Sequence, residues 1–205
     1  MTLSVQAAIA SRISVNSFQP DRPLDDAAIA SLVDLATKAP SAYNLQNWRF
    51  VVARSPEAKA RLQAAAYGQQ KIADASAAFL VCGTLEAHTQ LASALAPSVQ
   101  AGFMPAAMAE AWQSQAHRSH AGNGTLQRDE AVRSASLAGM TLMLAAESMG
   151  LGSCAMSGFD AAQVAQALGL ASTELPVLIV VVGHAEPGNW PQKPRKPVAE
   201  VLTIV

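Results

Sequence analysis

Charge is scarce in this chain. Only 14 % of its 205 residues are Asp, Glu, Lys or Arg, against about a quarter in ordinary soluble domains. The 14 basic and 15 acidic side chains leave a formal net charge of −1, with no long run of either sign. This pattern excludes an electrostatic footprint for nucleic acid or for an anionic membrane surface. Cysteine is scarcer still, with Cys82 and Cys154 alone. Both sit in apolar, strand-like segments and read as buried thiols in a reducing compartment, not as a disulfide or a nucleophile. The most apolar run, Pro176 to Val182, is far too short to cross a bilayer. The N-terminus lacks a basic stretch followed by an apolar one, so the expectation is no secretory signal and a soluble, cytoplasmic protein.

The usual catalytic engines are missing as well. Gly150-Leu151-Gly152 follows a helical segment, whereas a dinucleotide fingerprint follows a strand and opens a helix. No serine sits in a nucleophile elbow. The histidines His88, His117, His120 and His184 lack ligand spacing. His117 and His120 stand three apart, but no acid or thiol joins them, so no metal site is expected. An enzyme built this way takes its reactive group from a cofactor, and the protein supplies binding, orientation and electrostatics.

Apolar residues are plentiful, at 51 %, and many are alanines, which favour helices and close helix packing. A large subunit interface would absorb the excess. Along the chain, the pattern predicts helices over 4–11, from Asp25 or Asp26 to Ala39-Pro40, from Ser55-Pro56-Glu57, over 128–149 and over 160–168. In the 128–149 helix, Leu137, Thr141, Leu144 and Ser148 share a face. Gly150 and Gly169 are suited to end helices. Strands are predicted at 48–53, 77–82, 153–157 and 175–182, and the uniformly apolar 77–82 segment reads as buried on both faces. Residues 85–117 are helical in composition but interrupted at Pro97, Gly102 and Pro105, and 119–124 reads as a loop. A proline-rich stretch, 187–197, precedes an apolar tail, 198–205, that needs a sheet to pack on, this chain's or a partner's. No linker or repeat divides the chain, so residues 1–205 read as one α+β domain.

Three segments, taken together and in order, resemble the nitroreductase family of FMN enzymes. Arg12-Ile13-Ser14 followed by Phe18 is like the family's N-terminal arginine-x-serine and phenylalanine. Pro40-Ser41-Ala42-Tyr43-Asn44-Leu45-Gln46-Asn47-Trp48 is similar to its proline-serine-x-x-asparagine-x-glutamine-x-tryptophan signature. The stretch from Gly150 through Ser157-Gly158 to Gly169 is like its late glycine-bearing turn and helix, and Lys193-Pro194-Arg195 matches its closing basic pair. Asn47 departs from a usual proline and Ala42 from a common serine; the second change removes one hydroxyl.

The resemblance implies an α+β fold with a central mixed or antiparallel sheet flanked by helices. It also implies an intertwined homodimer, with the C-terminal tail exchanged onto the partner and two FMN sites built from both subunits. The implied reaction is a ping-pong cycle in which NADH or NADPH is the reductant and a nitroaromatic, quinone or similar electrophile the acceptor. Related chemistry on the same fold (dehalogenation, reduction of activated alkenes or aldehydes, oxygen-dependent flavin cleavage) and plain flavin binding are the alternatives.

Cofactor contacts are expected from Arg12, Ile13, Ser14, Ser41, Ala42, Asn44, Gln69, Lys71, Ser157, Gly158, Lys193 and Arg195. Arg12, Lys193 and Arg195 suit a phosphate dianion, because guanidinium donors match its oxygens. Lys71, with Gln69 as a neutral helper, aligns with the position that faces the ring where negative charge collects on reduction, and Ser14 would offer a hydroxyl there. Ser157-Gly158 would bring backbone N–H groups near flavin N5. Ser41 and Asn44 would reach the opposite subunit's flavin, although short polar side chains in such a loop also satisfy local backbone groups. Trp48 and Phe50 read as core. Tyr43, Phe103 and Trp112 are the substrate-pocket candidates, but the aromatic and methionine content of 97–123 suits a helix interface equally well.

Overall fold

The computed structural model describes residues 3–205. Its helices are α1 Val5–Ser11, α2 Asp26–Ala36, α3 Pro56–Ala65, α4 Gln70–Asp74, α5 Leu91–Gln100, α6 Ala106–His120, α7 Gly124–Ser148, α8 Ala161–Leu168 and α9 Val198–Val201. Its strands are β1 Trp48–Ala53, β2 Ala77–Thr84, β3 Gly152–Met156 and β4 Glu174–Gly183. They form one sheet in the order β1-β2-β4-β3, and every pairing within it is antiparallel. No helix among the described residues is long and apolar enough to cross a membrane.

β2 shows why the layers form. Its side chains alternate across the sheet, so Ala78, Leu80 and Cys82 enter one core with Leu62, Ile72 and Val164. Ala77, Phe79 and Val81 enter the other core with Leu32, Ala135 and Leu142. Helices α3, α4 and α8 therefore cover one face, and α2 and α7 the other. A strand covered on both sides has no polar face, which is why 77–82 carries no alternation.

Both cysteines are free and buried. Burial, with the Glu174 carboxylate adding to it, pushes the Cys82 thiol up to about 12, and Arg49 only partly offsets this. Cys82 is a packing residue.

Local signals set most boundaries. Ser4, Asp25, Ser55 and Asp160 each accept a backbone N–H in the first turn of the following helix. At the end of α7, Gly150 has φ +72°, its N–H donates to Glu147 O, and the Leu151 N–H donates to Ala146 O at 2.9 Å. That paired arrangement closes the helix.

Several boundaries differ from those predicted. α2 ends at Ala36, three residues before Ala39. Pro97 lies inside α5 and does not interrupt it; the break is the Gly102 turn, where φ is +73°. The predicted loop at 119–124 shrinks to 121–123. Asn123 caps α7 by accepting the Leu126 N–H, so α7 starts at Gly124, not Arg128. Its buried face includes Ala131, Ser134, Ala135, Ala138, Leu142 and Met143, while Leu137 is exposed and Thr141 and Leu144 are only half-buried. The apolar tail does not pack on this chain's sheet: Ile204 is 86 % exposed.

Candidate functional site

The segment after α1 runs along the edge strand β3. Ser14 bridges Ser153 in parallel, and the Val15 N–H donates to Ser153 O at 3.0 Å. This contact requires Gly152, where a Cβ would fall 2.7 Å from Val15 Cγ2. Farther on, Phe18 bridges Ala185, so the chain following β4 returns beside the N-terminal segment. Asn189 and Gln192 lock that return. Gln192 Nε2 donates to Arg12 O at 3.0 Å, and Asn189 bonds both sides of the Asn16–Ser17 backbone.

The result is a cleft with Arg12, Ile13, Ser14 and Asn16 on one wall and Trp190, Gln192, Lys193 and Arg195 on the other. Its three cations have no carboxylate partner among the described residues. Arg12 Nη1 donates to Ile13 O, Arg195 Nη1 donates to Lys193 O, and Lys193 Nζ lies 5.6 Å from the Trp190 ring centroid. Cations gathered from both chain ends and left without counter-charge form an anion-binding arrangement.

Lys71, on α4, joins the same segment. Its ammonium donates to Asn16 Oδ1 at 3.0 Å and approaches Cys154 Sγ at 3.7 Å, both neutral groups. Gln69 Nε2 donates to Gly158 O at 2.8 Å, tying the turn after β3 to the start of α4. Gln69, Lys71 and Ser157-Gly158 thus share the β3 end of the sheet with the cleft.

The loop 41–47 is not joined to the cleft by any hydrogen bond among the described residues. The Ser41 hydroxyl accepts the Gln46 N–H at 2.9 Å, the local role that a short polar side chain can play. Tyr43, Asn44 and Gln46 all have positive φ, between 47° and 59°. Such backbone is uncommon for residues other than glycine, and clusters of it mark functional loops. Tyr43 meets Trp112 edge to face, with centroids 6.0 Å apart, in a satellite core with Ala42 and Leu45 from the loop and Leu91 and Ala109 from α5 and α6. Two of the three substrate candidates are therefore together. Phe103 is apart, 86 % exposed in the α5–α6 turn.

Sequence reasoning missed Asn16, Asn189, Trp190 and Gln192. Asn16 lies within the segment that carried the resemblance, and 189–192 lies in the proline-rich return beside Lys193. Adjacency to recognised cations was the available signal.

The nitroreductase family profile matches residues 9–184. YodC of Bacillus subtilis, whose name places it among the NAD(P)H nitroreductases, is 34 % identical over 193 residues, covering 94 % of each chain. A protein of Thermus thermophilus named NADH dehydrogenase is 32 % identical over 203 residues, covering 98 % of this chain and 95 % of its own. Among solved structures, a nitroreductase-type protein of Exiguobacterium sibiricum in complex with FMN superposes with TM-score 0.91 at 25 % identity, covering 98 % of this chain and 97 % of its own. The family match over most of the chain, the full-length relatives and the shared architecture agree: this chain belongs to the nitroreductase family.

Proposed function

We propose that this chain is an FMN-dependent oxidoreductase that takes reducing equivalents from NAD(P)H and delivers them by a ping-pong cycle to nitroaromatics, quinones or similar small electrophiles. The observation that carries the reading is the cleft of uncompensated cations, Arg12, Lys193 and Arg195, contributed by both ends of the chain. Its donor set fits a phosphate dianion. Arg12 and Arg195 offer forked donors, Lys193 adds a point charge, and no acid competes for them.

Arg12, Ile13, Ser14, Lys193 and Arg195 hold the phosphate and the adjoining part of the cofactor. Lys71, with only neutral partners, supplies positive charge on the pyrimidine side of the ring, and Gln69 assists it. Ser157-Gly158 presents backbone N–H groups towards the ring. When bound, FMN supplies the redox chemistry, exchanging a hydride equivalent with nicotinamide and then with the acceptor. The side chains do no covalent work.

The proposal includes a homodimer in which Ser41, Ala42 and Asn44 serve the flavin of the opposite subunit, with residues 1–205 acting as one domain. It is supported by apolar surface on this chain that has nothing to cover it: Val5 and Ile9 of α1, Leu137 and Met140 of α7, and the tail from Val198. Large apolar side chains left exposed are what a subunit interface would bury. Tyr43 and Trp112 form the acceptor side, where an aromatic pair suits a flat apolar molecule.

The test is anaerobic. FMN-loaded protein mixed with NADH or NADPH should lose its visible flavin absorbance and regain it when a quinone is added. Loaded protein that stays oxidised with both nicotinamides contradicts the proposal.

A further inference from the structure

Beside the Tyr43 loop lies a polar cluster that the redox reading does not use. Asn47, His88 and His120 are 3 %, 9 % and 4 % exposed, and they come from the loop before β1, the turn after β2 and the end of α6. Asn47 Oδ1, His88 Nδ1 and His120 Nε2 are buried without a hydrogen-bond partner among the described residues. The three residues line one small cavity with Glu86 and Gln127. Leaving three such atoms unsatisfied costs more than most folds tolerate, so their convergence calls for an explanation.

His120 Nδ1 lies 3.0 Å from Ala116 O, which only accepts, and 2.9 Å from Ser119 Oγ, whose own proton is directed at the Gln115 and Ala116 carbonyls at 3.1 Å; Nδ1–H satisfies this arrangement and leaves Nε2 as a bare acceptor. Asn47 Oδ1 is a second acceptor. With His88 as the Nδ1–H tautomer, the cavity presents two acceptors and one donor, and its volume of about 10 Å³ suits one water molecule. One water can donate to Asn47 and His120 and accept from His88, which satisfies all three. The set works only while both imidazoles are neutral.

We propose that Asn47, His88 and His120 form a proton-sensitive latch that holds the Tyr43 loop to helix α6 and releases it in mild acid. The geometry couples the latch directly to the aromatic pair. The His120 ring meets Tyr43 edge-on at 6.4 Å, and Tyr43 in turn meets Trp112 at 6.0 Å. His88 stacks on His120 at 5.7 Å and lies 5.9 Å from His117, so a charge on one ring opposes a charge on the next. Protonating His120 at Nε2 turns an acceptor into a donor, leaves the water with one donor too many around it, and places a cation beside His88.

The surrounding groups set the direction. Burial holds His88 below the usual histidine range, and His120 and His117 act in the same sense, whereas Glu86 favours the charged form. α5 contributes no titratable residue, and Gln127 of α7 is neutral. The closed state therefore binds fewer protons than the open one, and acid opens it. Opening that takes up one proton becomes up to about tenfold more favourable per pH unit below the ordinary histidine value. The functional consequence rests on the reading that Tyr43 and Trp112 line the acceptor site.

Two measurements on the FMN-loaded protein test the latch. Hydrogen exchange, corrected for intrinsic rates, should show residues 41–47 and 106–120 losing protection between pH 8 and pH 5, and His120→Gln should abolish that difference. If His120→Gln does not fold, His88→Gln, from a separate element, is compared instead. The KM for p-benzoquinone should rise over the same pH interval in wild type and stay flat in the variant. Protection that does not change with pH overturns the latch. Protection that falls while the KM stays constant supports the latch and removes Tyr43 from the acceptor site, which separates the two ideas.

Discussion

The side-chain oxygen of Asn189 accepts the backbone N–H of Asn16 at 2.8 Å, across 173 positions of sequence. The same amide accepts from the Ser17 N–H and donates to the carbonyls of Ser17 and Glu186. One side chain thus uses both ends of its amide to hold the C-terminal return against the segment that carries Arg12 and Ser14. Asn189→Leu removes all four bonds and should weaken FMN binding by roughly tenfold or more, since a net hydrogen bond is worth about 1 kcal/mol. Fluorescence titration of the apoprotein checks this, and an unchanged dissociation constant contradicts it.

Arg12→Ala should be more severe. A hydrogen bond to a charged group contributes about 1.5–3 kcal/mol, which corresponds to a loss of roughly 10- to 100-fold in FMN affinity. Because the Arg12 side chain bonds only to the Ile13 carbonyl among the described residues, the variant's thermal midpoint without FMN should barely move. The comparison needs an equilibrium dialysis series and one melting curve.

Gly152→Ala places a methyl group 2.7 Å from Val15 Cγ2 and 3.2 Å from Ala185 Cβ. Overpacking of this kind costs about 1–3 kcal/mol. The strain falls on the contact that seats the Arg12–Ser14 segment on β3, so both the urea midpoint and FMN affinity should drop. A variant as stable as wild type would show that the contact is looser than described.

Stability should also depend on acid. Burial lowers the folded-state affinity of His88 and His184 for protons, with His120 and His117 adding to the effect at His88 and Arg22 at His184. The unfolded chain takes up these protons first. Melting temperature should be flat above the ordinary histidine value of about 6.5, fall as pH drops from there towards the lowered folded values, and lose no more to these two groups below them. Replacing both histidines with glutamine should flatten that region, and an unchanged slope would assign the acid sensitivity elsewhere.

The layered architecture was largely legible because its signals are local. A continuous apolar run marked β2, and caps such as Asp25, Ser55 and Asp160 marked helix starts. Errors arose where tertiary packing decides. The sequence grouped Leu137, Thr141, Leu144 and Ser148 on one face of α7, but the helix turns mostly small residues, with Leu142 and Met143, to the sheet, where Ala135 and Ala138 permit close approach. Pro97 looked like a break, yet α5 runs through it to Gln100. Within the site, Arg12, Lys193 and Arg195 could be read from charge and family pattern together. Asn189 could not, because three of its four bonds go to backbone groups 172 or 173 positions away. Asn47, His88 and His120 come from three separate segments and carry no spacing signature.

The phosphate clamp is tested most directly by titrating the apoprotein with FMN and with riboflavin, which differ only in the phosphate. If Arg12, Lys193 and Arg195 grip that group, FMN should bind tighter by roughly 100-fold or more, given about 1.5–3 kcal/mol for each charge-assisted bond. The preference should also shrink as salt is raised. Equal affinity for the two flavins would contradict the clamp and the cofactor site built on it.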